Sequence, residues 1–246
     1  MAGLLFTSCV RIKGKSVSAG KSFYRYDNGG KYSAGNGAVS AADVKEIDVD
    51  WVSGDIRLVC GNGNDISFSE SFDGNLTEDQ LLHWYLDGST LRIKYQKSGV
   101  VNGDGKRKSL EVTLPKGMVL GKVGIVSVSS DVLSEASASE YRVSTVSGDF
   151  DLSASVSGLV RMDTVSGDCN FRMPQCPSEL NLNSVSGSVN LWIPSSSGFT
   201  AELQSVSGKI SCAIPSTTAG GKLTAGDGSA RIRLNSVSGD LNINPY

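Results

Sequence analysis

The sequence predicts an all-β protein: a β-solenoid, or parallel β-helix-like stack, with coils of about twenty residues and a less regular N-terminal β cap. Three observations carry this prediction. Val-Ser-Gly recurs at Val52-Ser53-Gly54, Val146-Ser147-Gly148, Val156-Ser157-Gly158, Val165-Ser166-Gly167, Val185-Ser186-Gly187, Val206-Ser207-Gly208 and Val237-Ser238-Gly239. The steps from Gly148 to Gly167, Gly187, Gly208 and Gly228 are 19, 20, 21 and 20 residues, with 225–228 read as a degenerate corner. Between corners, apolar and polar residues alternate with period two, as half-buried strands require. One coil cannot bury its apolar face, but stacked coils share a core. An antiparallel sandwich is the alternative. It gives no reason for one corner to recur with the apolar columns in register.

In chain order, residues 1–9 read as a truncated lipoprotein-like signal remnant, with a short apolar run, small residues and then Cys9 as the lipid acceptor. Residues 10–42 are expected to form a flexible tether. They are rich in Gly, Ser, Asn and Lys, and Arg11, Lys13, Lys15, Lys21, Arg25 and Lys31 face a single acid, Asp27, before position 40. Such a segment buries too little apolar area to fold alone. Residues 43–246 are expected to be a single solenoid domain, with 43–122 as cap or entry portion and 123–246 as regular repeats.

Within the cap, 44–59 alternates around the first Val-Ser-Gly-Asp corner. Thr77-Glu78-Asp79-Gln80 has capping-box spacing and predicts one helical turn. Asp87-Gly88-Ser89 between two alternating runs predicts a hairpin. Residues 99–108 read as a polar loop, and Leu110 to Pro115 as another strand. In the repeats, Leu180, Leu182, Val189, Leu191 and Ile193 face one side, and Asn181, Asn183, Asn190 and Trp192 the other. Cys169, Phe171, Met173 and Ile210, Cys212, Ile214 repeat the pattern. Prolines close three of these strands, at Pro174, Pro194 and Pro215, where the missing N–H does no harm. Pro245 is expected to blunt an open terminal strand edge.

The run Leu110-Glu-Val-Thr-Leu-Pro115, then Val-Ser-Val-Ser-Ser-Asp131 and the repeated Ser-Val-Ser-Gly-Asp corners, resembles the DUF4097-type putative adhesin family over about residues 43–246. The opening, with Ser8-Cys9 and a basic Gly/Ser stretch, is similar to lipoprotein members from Bacteroidetes. The resemblance implies a β-helical fold and a cell-envelope location. It brings no catalytic motif.

Composition excludes several functions. The net charge of −2 offers no global field for nucleic acid. A single histidine, His83, removes most histidine-based catalysis and multi-histidine metal sites. No apolar run approaches the ~20 residues of a membrane span. None of the cysteines forms a CxxC pair, so no zinc ribbon is expected. Cys169 and Cys212 read as small core hydrophobes. The residue after each corner glycine is Asp55, Asp149, Leu159, Asp168, Ser188, Lys209 or Asp240. A calcium ladder is interrupted there, so these aspartates are expected to hydrogen-bond their own turns.

Five residues past each corner glycine lies an outward column of Ser153, Arg172, Trp192, Ala213, Arg233 and Asn244. Arg172 beside Trp192 gives a stacking pair, so Arg172, Trp192 and Arg233 are the candidate ligand-binding residues. No catalytic residue, cofactor or metal is assigned. The expected function is a non-enzymatic, adhesin-like binding or structural module of the cell envelope, anchored to the membrane through Cys9. Its expected partner is an envelope glycan or a surface protein. A carbohydrate-active enzyme on a β-helix and an accessory of an envelope stress or signalling system are the alternatives.

Overall fold

Nearly every alternating segment is a strand, and the strands pair coil upon coil. The computed structural model describes residues 15–18, 21–101 and 106–246, so Cys9 and the expected signal remnant lie outside the described residues. Strands β1 (Lys15–Ser18) and β2 (Lys21–Tyr24) form a separate antiparallel hairpin. β3 (Ser33–Ala34) and β4 (Gly37–Ser40) follow. The first coil is β5 (Glu46–Asp50), the Val52-Ser53-Gly54 corner and β6 (Ile56–Gly61). β7 (Asp65–Ser71) leads to a 3-10 turn at Glu78–Gln80, where Gln80 Oε1 accepts the Thr77 N–H at 3.2 Å, as the capping-box spacing predicts. The predicted hairpin is β8 (His83–Asp87) and β9 (Thr90–Lys94), with β10 (Ser109–Pro115) after it.

Regular coils then run through β11 (Val119–Val126) and β12 (Val132–Ser134), β13 (Ser137–Ser144) and β14 (Phe150–Ser153), and β15 (Val156–Asp163) and β16 (Cys169–Arg172). β17 (Glu179–Asn183) with β18 (Val189–Ile193) and β19 (Phe199–Ser207) with β20 (Ile210–Cys212) continue the series. The hairpin of β21 (Ser216–Ala219) and β22 (Lys222–Ala225) precedes the final coil, β23 (Ala230–Ser238) and β24 (Leu241–Pro245).

The first strand of each coil lies in a twelve-stranded sheet and the second in a ten-stranded sheet. The coil-to-coil ladders are parallel. The inward residues form one continuous core, including Leu180, Leu182, Val189, Leu191, Ile193, Cys169, Phe171 and Met173.

Spatial order departs from chain order at both ends. The coil β9/β10 stacks outside β5/β6, and the last coil, β23/β24, is inserted between β17/β18 and β19/β20. Pro245 therefore pairs with Ile193 inside the ten-stranded sheet, and the edge there is β20. Two predicted corners are also not corners. Val156-Ser157-Gly158 lies within β15 beside a ladder irregularity, and 225–228 is the turn from β22 into β23.

The corners at Gly148, Gly167 and Gly187 share one anatomy. A buried hydroxyl two residues before the corner serine donates to that serine's carbonyl: Thr145 to Ser147 at 3.0 Å, Thr164 to Ser166 at 3.1 Å and Ser184 to Ser186 at 2.8 Å. The glycine has a left-handed backbone and meets the coil beside it. At Gly148 (φ +115°), an added Cβ would lie 2.6 Å from the Ser130 carbonyl carbon. The aspartates do not cap their own turns as expected. Three accept an N–H from the next coil, Asp131 from Asp149 at 3.0 Å, Asp149 from Asp168 at 2.9 Å and Asp168 from Ser188 at 2.7 Å, while Asp55 lies 3.8 Å from Arg107. In the end coil, which has no neighbour beyond it to staple, this position is Lys209, and after Gly187 it is Ser188. The Lys209 N–H donates to Asp240 at 2.9 Å.

The expected tether is corrected as well. Residues 23–42 are folded. Tyr24 is buried, its hydroxyl donates to the Asp50 carbonyl at 3.0 Å, and β3 and β4 pair with β8 and β7. The physical reason is aromatic: Tyr24, Tyr26 and Tyr32 supply apolar area that the Gly/Ser/Lys-rich composition obscures.

Candidate functional site

The outward row of the twelve-stranded sheet supplies a site that begins as a ladder of charges. Across the strands, Tyr85, Arg92, Asp48, Gly124, Arg142 and Arg161 stand in register, and the row continues to Asn181 and Arg233. Two residues along the strands, on the same face, run Lys94, Asp50, Val126, Ser144 and Asp163. Gly124 interrupts the first row. A side chain there would collide with the Asp48 carboxylate, so glycine both admits that carboxylate and lowers the floor. Beside it Val126 and Ser144 are also small.

Over β8, β9 and β5, the segment 25–32 stands on this face as a wall. It is pinned by Tyr26 N donating to Ser98 Oγ at 3.1 Å and by Ser98 Oγ donating to the Tyr26 carbonyl at 2.9 Å. The wall presents aromatic rings. Tyr26 and Tyr32 meet edge-on at 4.7 Å, and Tyr32 and Tyr85 lie 5.5 Å apart. Between this wall and the two arginines is a groove of about 1000 Å³.

Most of its charges are paired. Arg92 is locked by both ends, with Nε donating to Asp87 Oδ2 at 3.1 Å and Nη1 to Asp48 Oδ2 at 2.9 Å. Lys94 holds Asp50 at 3.3 Å and lies 5.6 Å from the centre of the Tyr26 ring. Burial pushes the Asp50 carboxyl above its usual range, and Lys94 opposes this. Burial also raises the Tyr32 phenol to about 12. Arg161 Nε meets Asp163 at 3.4 Å, and Arg142 Nε meets Glu140.

The residues singled out from the sequence are partly brought together. Arg172 pairs in register with Trp192 on the outer face of the ten-stranded sheet, its guanidinium carbon 4.5 Å from the ring centre. Ser153 and Asn244 flank them. Arg233 is not in that column. Its count starts from Gly228, which lies in the turn from β22 into β23, so Arg233 falls on the twelve-stranded sheet beside Asn181. Cys9 lies outside the described residues. His83 is buried, its Nδ1 3.0 Å from the Leu81 carbonyl oxygen. Among the described residues no cluster of His, Cys, Asp or Glu could hold a metal, and no helix is long and apolar enough to cross a membrane.

The groove row was detectable in the sequence by another count. Six residues before each corner glycine stand Asp48, Arg142, Arg161, Asn181, Glu202 and Arg233.

Parallel coils between two sheets, turned by glycine corners, define the class as a two-sheet β-solenoid. Residues 133–244 match the model of the Toastrack DUF4097 family. The match takes in Arg142 and Arg161, whereas the tyrosine wall comes from the preceding portion. A putative cell adhesion protein from Clostridium sporogenes has a similar fold, at 13% identity and TM-score 0.53, over 88% of this chain and 100% of that one. A putative adhesin from Bacteroides fragilis matches at 12% identity over 84% and 95% of the two chains, with TM-score 0.42. A putative lipid binding protein from Parabacteroides distasonis matches at 12% identity over 87% and 97%, with TM-score 0.32. No curated protein matches the chain.

Proposed function

We propose that the chain is a non-enzymatic, adhesin-like binding module of the cell envelope, held at the membrane by a lipid on Cys9. Its partner, an envelope glycan or a surface protein, binds in the groove on the twelve-stranded sheet. The groove carries the reading: a cavity whose donors and acceptors are fixed by strand register and whose wall is aromatic. Its carboxylates at Asp48, Asp50, Asp87 and Asp163 are each paired with a cation, which fixes them in place along the groove. The description of the similar Clostridium sporogenes protein as a putative cell adhesion protein points the same way. Arg172 and Trp192, stacked on the opposite face, are the alternative contact.

The test is a binding screen of the purified chain against envelope glycans and envelope proteins. Binding to at least one, weakened by Tyr85→Ala and unaffected by Trp192→Ala, is the expected result. The reverse pattern moves the site to the opposite face. Product release that disappears in Asp50→Asn would overturn the non-enzymatic reading. Mass spectrometry of Cys9 in native membranes checks the anchor, and an unmodified thiol there excludes it.

A further inference from the structure

The two arginines at the open end of the groove differ from Arg92 and Lys94, whose charged ends are held by Asp48, Asp87 and Asp50. Register places Arg142 directly opposite Arg161 on the neighbouring parallel strand, an arrangement in which like charges repel. Each is about half exposed, with side-chain values of 52% and 51%. Each meets its one acidic partner through Nε alone, Arg142 with Glu140 and Arg161 with Asp163. Their terminal nitrogens have no partner among the described residues. Arg92, by contrast, spends both Nε and Nη1 on Asp87 and Asp48. A guanidinium fork suits an oxyanion with two acceptor oxygens, and here two forks stand side by side facing one cavity.

The opposite wall is of another kind. Tyr32 and Tyr85 offer rings, and from Tyr85 to Arg142 and Arg161 there are four and five strand-to-strand steps. At ~4.8 Å per step this is about 19 to 24 Å. A free anion or a single sugar does not bridge that span, and a flat hydroxyl-rich chain fits the low floor at Gly124, Val126 and Ser144.

We propose that the groove binds an acidic oligosaccharide, its carboxylate or sulfate groups on the Arg142 and Arg161 forks and its sugar rings against Tyr32 and Tyr85. This rests on reading the groove as the binding surface. The experiment is calorimetric titration of the purified chain with four probes: an oligogalacturonate, a heparin oligosaccharide, a neutral cello-oligosaccharide of matched length and a single-stranded oligonucleotide. Binding of the oligogalacturonate or the heparin fragment is expected, and which of them binds distinguishes carboxylate from sulfate. Arg142→Gln/Arg161→Gln should weaken that binding roughly tenfold or more, while Arg172→Gln leaves it unchanged. The double variant should melt no lower than the parent, because it removes a like-charge pair.

Equal binding of the neutral oligosaccharide, or acidic binding that survives the double variant, overturns the proposal and leaves the groove as a binding surface. Binding of the oligonucleotide alone overturns it in favour of a general polyanion site. If no probe binds while the wider screen finds a protein partner sensitive to Tyr85→Ala, the ligand class is wrong and the groove reading stands. If the screen is also empty, both fail.

Discussion

At the scale of single residues, the corner glycines are held by two constraints that separate experimentally. Gly167 has φ +121°, and a Cβ there would lie 2.8 Å from the carbonyl carbon of Gly148. Gly88 has φ +62° but nothing within 4 Å of its Cβ position. Gly167→Ala should cost about 3 kcal/mol or more, combining backbone strain with a clash that neither coil can relieve. Gly88→Ala should cost about 1 kcal/mol, the left-handed penalty alone. Urea denaturation of both variants checks the difference, and equal losses would show that the close approach of coils is not the cause.

The buried Lys108 is a second such case. Its ammonium is 1% exposed, 2.6 Å from Glu70 Oε2 and 2.6 Å from the Gln80 carbonyl oxygen, over the Tyr95 ring at 4.3 Å. Burial lowers its pKa against the pull of Glu70. Lys108→Met leaves the Glu70 carboxylate buried and unpaired, and should cost about 3 to 5 kcal/mol. Adding Glu70→Gln removes that charge while keeping an acceptor for the Leu82 N–H, held at 2.6 Å, so most of the loss should return. A double variant no more stable than the single one would refute this. None of it was legible in the sequence, where Lys108 closes a polar run with nothing local to mark it as buried.

At the scale of elements, the segment carrying Tyr24, Tyr26 and Tyr32 shows what composition hides. Strands, corners, the hairpin at Gly88 and the turn at Thr77 were legible because each depends on residues close together in sequence. The fold of 23–42 was not, because its tyrosines pack on Tyr95 and Tyr85, far along the chain. The groove was missed for a related reason. Register runs backward from the corner on the twelve-stranded sheet and forward on the ten-stranded one, so the column five residues past each glycine leads to Arg172 and Trp192 on the ten-stranded sheet and not to the groove.

The tyrosine cluster also predicts alkaline behaviour. Burial raises Tyr32 and Tyr95 to about 12, and also holds Tyr24 and Tyr26 well above the usual phenol value. A phenol whose folded pKa exceeds its unfolded value near 10 contributes stability that is full below pH 10 and is lost as pH rises through about 12. Ultraviolet titration of tyrosinate with parallel circular dichroism should show these phenols ionising together with loss of structure. Their ionisation near pH 10 with the fold intact would contradict the packing described.

At the scale of the molecule, the order of coils matters more than their number. In a simple stack, removing the last coil shortens the solenoid by one unit and exposes one new face. Here residues 230–246 lie between two earlier coils. β23 pairs with both β17 and β19, and β24 with both β18 and β20. Without them, Leu180, Leu182, Val189 and Leu191 lose the coil that continues their core columns. β19 and β20 keep no parallel partner, and β19 retains only the antiparallel contact with β22. Val206, already 76% exposed, would gain exposed neighbours. Deleting 230–246 should therefore abolish hydrogen-exchange protection across 199–225 as well, and the remaining strand edge at β17 and β18 should promote aggregation. Protection of 199–225 that survives the deletion would mean that this coil can dock on β17 and β18 directly, so that the inserted C-terminal coil is dispensable.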